Sequence, residues 1–105
     1  MDKDLVFEDK EIRDQADHTS ETAHSGEFTA ETLVVLNGLD QQVDFQLQGC
    51  VGDGNWMNIC SVFSTAASSN DYETVTDYFP CYRIIASCSA TPTSGVVNVW
   101  VVKSR

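Results

Sequence analysis

The chain has 105 residues, 42% of them hydrophobic, which is enough for one domain with a modest core. Sixteen acidic residues against six Lys and Arg give a formal net charge of −10. That balance argues against nucleic acid, whose phosphates need Lys and Arg to replace their counterions, and against an anionic membrane surface. The acidity is uneven: residues 1–31 hold ten acids and three bases, residues 32–105 six and three. Such a chain is either kept soluble by its charge or suited to high salt, where screening weakens carboxylate repulsion, the halophilic reading.

The start, Met1-Asp2-Lys3-Asp4, is charged and no apolar run follows. We therefore expect no signal peptide and synthesis in the cytoplasm. No stretch approaches the ~20 apolar residues of a membrane span. Residues 1–26 read as an extended acidic arm. Leu5-Val6-Phe7 suits a short strand or an anchor, and the periodicity of Glu8–Asp17 is poor for a helix. Such a polar segment cannot offset its ordering entropy alone. It is expected to dock on a neighbouring subunit, which makes Leu5, Phe7 and Ile12 interface candidates.

From residue 27 to 105 the pattern turns to period two, and this stretch reads as the folded domain. Phe28–Asn37 reads as a strand with Leu33 and Val35 on one face and Thr32, Val34 and Leu36 on the other. Asn37-Gly38-Leu39-Asp40 reads as a turn. Val43, Phe45 and Leu47 then alternate with Asp44, Gln46 and Gln48, the pattern of a half-buried strand. Gly52-Asp53-Gly54-Asn55 makes the next turn, and Trp56–Ser64 the next strand. Thr65–Asp71 reads as a loop and Tyr72–Phe79 as a strand ending at Pro80. Tyr82, Ile84, Ala86 and Cys88 share one face of the following strand. Thr91–Gly95 is expected to close a hairpin onto a last strand, Val96–Val102. Short strands at regular spacing, with no long helix, predict an all-β antiparallel sandwich, immunoglobulin-like or jelly-roll-like, preceded by the arm.

Little in this pattern points to chemistry. His18 and His24 both fall in the arm with Asp14, Asp17 and Glu21, without zinc spacing, so neither metal nor cofactor is expected. No histidine falls in residues 27–105 to serve as a base, and the acids there sit in turns or on exposed faces. No catalytic residue is assigned. Cys50, Cys60, Cys81 and Cys88 contain no Cys-x-x-Cys pair. They are read as buried thiols or as one or two disulfides, with three connectivities open and Cys50 and Cys60 flanking one turn. The last strand carries Val97, Val99 and Val101 on one face and Val96, Trp100 and Val102 on the other. A strand apolar on both faces is covered on both faces, which adds Val96, Trp100 and Val102 to the interface candidates. Trp56, Tyr72 and Trp100 are the alternative, an aromatic platform for a glycan.

The stretch Asn37–Arg105 resembles small β-sandwich proteins in the heads and tails of tailed viruses. The resemblance lies in Gly38-Leu39-Asp40, Gly52-Asp53-Gly54-Asn55-Trp56, Tyr72–Tyr82 into Arg83-Ile84-Ile85, Thr93-Ser94-Gly95 and Val96–Val102. It implies a homo-oligomeric decoration, turret or neck subunit, located in the virion, with copies of itself and capsid or portal and neck proteins as partners. It implies no catalytic residue. The acidic composition suits a virus of a haloarchaeon. The expected function is thus a virion structural protein, and the alternative a carbohydrate- or host-surface-binding module.

Overall fold

The computed structural model describes residues 2–24, 30–51, 54–75 and 79–104. The described elements, in chain order, are β1 (Asp2–Lys10), β2 (His18–Thr19), β3 (Ala23–His24), β4 (Ala30–Asn37), β5 (Val43–Cys50), β6 (Trp56–Asn58), β7 (Phe63–Thr65), β8 (Ser69–Val75), β9 (Cys81–Ser87) and β10 (Val97–Ser104). They form two antiparallel sheets. One has the order β1-β10-β4-β8; the other runs β2-β9-β5-β6, with β3 also on β9 and β7 also on β5. Taking β2 with β3 and β6 with β7 as single interrupted strands, the chain changes sheet at every connection except that from β5 to β6, which is the jelly-roll arrangement of the β-sandwich. Among the described residues no helix is long and apolar enough to cross a membrane.

The alternation expected from sequence places the core. Leu33 and Val35 of β4, Val43, Phe45 and Leu47 of β5, Tyr82, Ile84 and Ala86 of β9, and Val97, Val99 and Val101 of β10 are all buried between the sheets. Phe63 stacks on Phe45 with ring centroids 5.4 Å apart.

The N-terminal segment departs from expectation. The boundary at 26–27 lies outside the described residues, but β1 pairs antiparallel with β10 along its length. The segment expected to reach a neighbour instead supplies the edge strand of its own sheet. The register slips between Leu5 and Phe7 and again between Phe7 and Lys10. Such bulges turn Val6 and Phe7 both inward, so the segment buries more apolar surface than simple alternation allows. Phe7 is 4% exposed and Ile12 0%, which removes both from any intermolecular surface. β2 and β3 then cross to the other sheet and pair with β9. Lys103 ties these pieces together, donating to the Asp4 carboxylate at 2.8 Å and to the His24 carbonyl at 2.6 Å.

Connections also differ in part from expectation. The Asn37–Asp40 turn joins β4 to β5 across the two sheets, and the Thr91–Gly95 loop, expected to close a hairpin, likewise joins strands of different sheets, β9 and β10. The Asn37 side chain, 1% exposed, shapes the first. Its amide donates to the carbonyls of Gln41, Thr65 and Ala66 at 3.0–3.1 Å and its oxygen accepts the Leu39 N–H at 3.0 Å. Gly95 serves the second at φ 88°, where an added Cβ would collide with the Gly38 carbonyl oxygen. The expected strand Trp56–Ser64 is broken by Cys60, whose φ is 63°, and β8 begins inside the expected loop.

This packing makes two features testable. Deleting residues 2–12 exposes the β10 edge and removes Val6, Phe7 and Ile12 from the core. At about 1.5–3 kcal/mol per buried side chain the loss rivals the whole stability of a small domain. The truncated chain should show no cooperative urea transition; a native-like transition would mean that the segment is dispensable. The second feature is Asp40, whose carboxylate accepts from the Thr93 hydroxyl and, at 2.9 Å, from the Thr93 N–H. These bonds hold its carboxyl below the ordinary value of 3.8. A depressed folded-state value stabilises above the unfolded value, and the benefit is lost as pH falls through the folded one. Asp40→Asn should therefore lower the urea midpoint at neutral pH, and the difference from the wild type should vanish as pH falls through the depressed folded-state value of Asp40.

Candidate functional site

The two outer faces of the sandwich differ in chemistry. On the β5–β9 sheet most outward side chains are polar, and several engage one another. Arg83 donates to the Gln48 amide oxygen at 2.7 Å, Gln48 to Asn58 at 2.9 Å, and Ser64 to Asp44 at 2.5 Å. The Arg83 guanidinium also lies over the Trp56 ring, 4.2 Å from its centroid. A shallow groove of about 360 Å³, lined by Asp17, Asp44, Gln46 and Ile85 among others, runs along this face.

The outer face of the β1-β10-β4-β8 sheet carries a central apolar row among mostly neutral polar residues. The register aligns Leu5, Trp100, Val34 and Tyr72 in one row across all four strands. A second row holds Lys3, Val102, Thr32 and Thr74, and a third holds Asn98, Leu36 and Asn70. Leu5, Val34, Leu36, Trp100 and Val102 are half-buried, and Tyr72 is 69% exposed. Val96 and Leu36 border a depression of about 340 Å³ at one end. The outward positions of β10, β4 and β8 carry no ionised side chain, although the chain has sixteen acids. Both flanking strands are charged instead: Glu8, Asp9 and Lys10 on bulged β1, Asp71 and Glu73 on β8. Charge and bulges at edges are the usual protection against strand addition by another molecule.

Leu5, Val96, Trp100 and Val102 thus share one face, as a two-faced last strand requires, while Phe7 and Ile12 are core. The proposed aromatic platform divides: Trp100 and Tyr72 stand two strands apart on this face, roughly 10 Å, and Trp56 belongs to the other sheet. Val34 and Leu36 belong to the same surface, although the sequence does not single them out. Their shared parity is visible there; that β4 lies beside β10 is not.

The histidines stand on strands rather than in a detached arm, so the exclusion of histidine chemistry that rested on their position does not hold. His18 sits opposite Ala86 on β9 and contacts the Asp14 carboxylate at 2.8 Å. That contact holds the Asp14 carboxyl below its ordinary range. Among the described residues no three His, Cys, Asp or Glu side chains gather to hold a metal ion.

No protein-family model matches the chain, and no curated protein matches it. A search of solved structures finds the crystal structure of PirA, with a TM-score of 0.60 at 9% identity. The match covers 96% of this chain and 92% of that one. At this identity the likeness concerns the fold alone.

Proposed function

We propose that this protein is a non-catalytic assembly module that associates with further copies of itself through the outer face of the β1-β10-β4-β8 sheet. The observation that carries the reading is the continuous row Leu5-Trp100-Val34-Tyr72 on a face whose β10, β4 and β8 positions are free of carboxylates. A chain of net charge −10 repels its own copies over most of its surface. This face lets two copies approach without opposing acids and buries a tryptophan, a favoured interface anchor. The charged, bulged edges favour contact face to face rather than strand addition. In the finer reading the assembly is a virion and the chain a decoration, turret or neck subunit. The resemblance of Asn37–Arg105 to tailed-virus sandwich proteins supports that reading, and jelly rolls serve in capsids as well as in lectins.

Four strands about 4.8 Å apart, crossed over about seven residues, give a footprint of roughly 450 Å² per partner. That is the small, weak end of specific interfaces, so association should depend on concentration. Light scattering should show wild-type mass rising toward twice the chain mass as concentration increases. Trp100→Asp places a charge at the centre of the face and should raise the dissociation constant at least ~100-fold with an unchanged circular dichroism spectrum. A wild-type chain that stays monomeric at the highest soluble concentration would contradict the assembly reading. If that monomer binds glycans and loses the binding in Trp100→Ala and Tyr72→Ala, the surface is instead a carbohydrate site, the reading that the exposure of Tyr72 beside Trp100 favours.

A further inference from the structure

Two thiols meet on the polar sheet, away from the proposed assembly face. Cys50 ends β5, Cys81 opens β9, and the antiparallel register sets them directly opposite each other, one step beyond Gly49 and Tyr82. Directly opposed residues in an antiparallel pair have Cα atoms about 4.5 or 5.5 Å apart, depending on whether the pair is hydrogen-bonded. Both separations lie within the roughly 4.4–6.8 Å that a disulfide spans. The two thiols are close enough for Cys50 to act on the Cys81 thiol. The other two cysteines are placed differently. Cys60 is exposed in a left-handed bend, outside the strand pairing. Cys88 is 3% exposed and packed into the core, on the inward parity of its segment, whereas Cys81 has the outward parity. Of the three connectivities left open by the sequence, only one contains a Cys50–Cys81 bond; the register supports that single bond, while exposed Cys60 and buried Cys88 are not brought together to form its companion.

We propose that Cys50 and Cys81 are a redox modification site, closing a reversible cross-strand disulfide when the protein meets a low-molecular-weight disulfide oxidant such as oxidised glutathione. The thiolate of one cysteine attacks the glutathione disulfide, breaks its S–S bond and releases one glutathione thiolate. The second cysteine gives up its proton and attacks the mixed disulfide at the protein sulfur. This forms the Cys50–Cys81 bond and expels a second glutathione thiolate. The protein loses two protons and two electrons, and oxidised glutathione is reduced to two glutathione molecules. Burial, together with the neighbouring Cys50, pushes the Cys81 thiol up to about 11. The thiolate is therefore scarce at neutral pH, and closure should quicken as pH rises. The bond clasps β5 to β9 and closes a loop that carries β6, β7 and β8, so both sheets are constrained by it.

The inference does not rest on the assembly reading and is tested apart from it. Wild-type protein is incubated with oxidised glutathione, then cleaved at Met57, at the aromatic residues between Cys60 and Cys81, and at Tyr82 and Arg83 between Cys81 and Cys88, and the peptides are mapped by mass spectrometry. The expected product is a peptide joining Cys50 to Cys81, two hydrogens lighter than its parts and released by dithiothreitol. The unfolding midpoint should rise by roughly 5–10 °C. Cys50→Ser should take up a single glutathione on Cys81 and show no such rise. A Cys60→Ser, Cys88→Ala background should behave as the wild type. Glutathione adducts on both Cys50 and Cys81 without a joined peptide would overturn the proposal, as would pairing of either residue with Cys60 or Cys88. The mapping uses the wild-type chain, so it decides the matter even if a variant fails to fold.

Discussion

β10 is the constraint on which the described structure turns. It lies inside its sheet, hydrogen-bonded to β1 on one side and β4 on the other. Without it the N-terminal strand has no partner and β4 becomes an open edge. Its inward side chains, Val97, Val99 and Val101, fill the middle of the core. Its outward side chains include Trp100 and Val102, which a charged or hydroxylated residue could replace at no cost to the core. A strand that must serve two neighbours and one core does not need a tryptophan on its far face. That excess of apolar surface is the physical basis of the assembly reading.

The rest of the sandwich is arranged around this strand by a few directed contacts. Asn37 gathers the carbonyls of the turn after β4 and the end of β7, linking the two sheets where the chain crosses between them. Gly95 lets the chain pass against Gly38 on its way into β10. Lys103, near the other end of β10, binds the N-terminal strand through Asp4 and the second sheet through the His24 carbonyl. Each contact joins residues distant in sequence, as a jelly roll demands.

That distance explains what can and cannot be read from the sequence. Alternation is a local signal, so the inward parity of Leu33, Phe45, Ile84 and Val99 is legible, as are the all-β class and the two faces of the last strand. Sheet membership is not local. The Thr91–Gly95 loop has the composition of a hairpin turn, yet it carries the chain from one sheet to the other. The N-terminal segment misleads for a different reason. Its composition is that of a solvated arm, and its few apolar residues break period two because bulges at Leu5–Phe7 turn Val6 and Phe7 to the same side. With Phe7 and Ile12 assigned to the core, the candidate surface contracts to Leu5, Val96, Trp100 and Val102 and gains Val34, Leu36 and Tyr72 from strands that the sequence could not place beside them.

In the proposed assembly, water is excluded from the outer face of β10 when copies of the protein meet. Trp100 reports on that face directly. Trp56→Phe keeps an aromatic ring beneath Arg83 and leaves Trp100 as the single tryptophan. Trp100 emission should then shift to shorter wavelength, and quenching by acrylamide should weaken, as the protein is concentrated from the nanomolar to the high micromolar range. Emission and quenching independent of concentration, with Trp100 wet throughout, would contradict the claim.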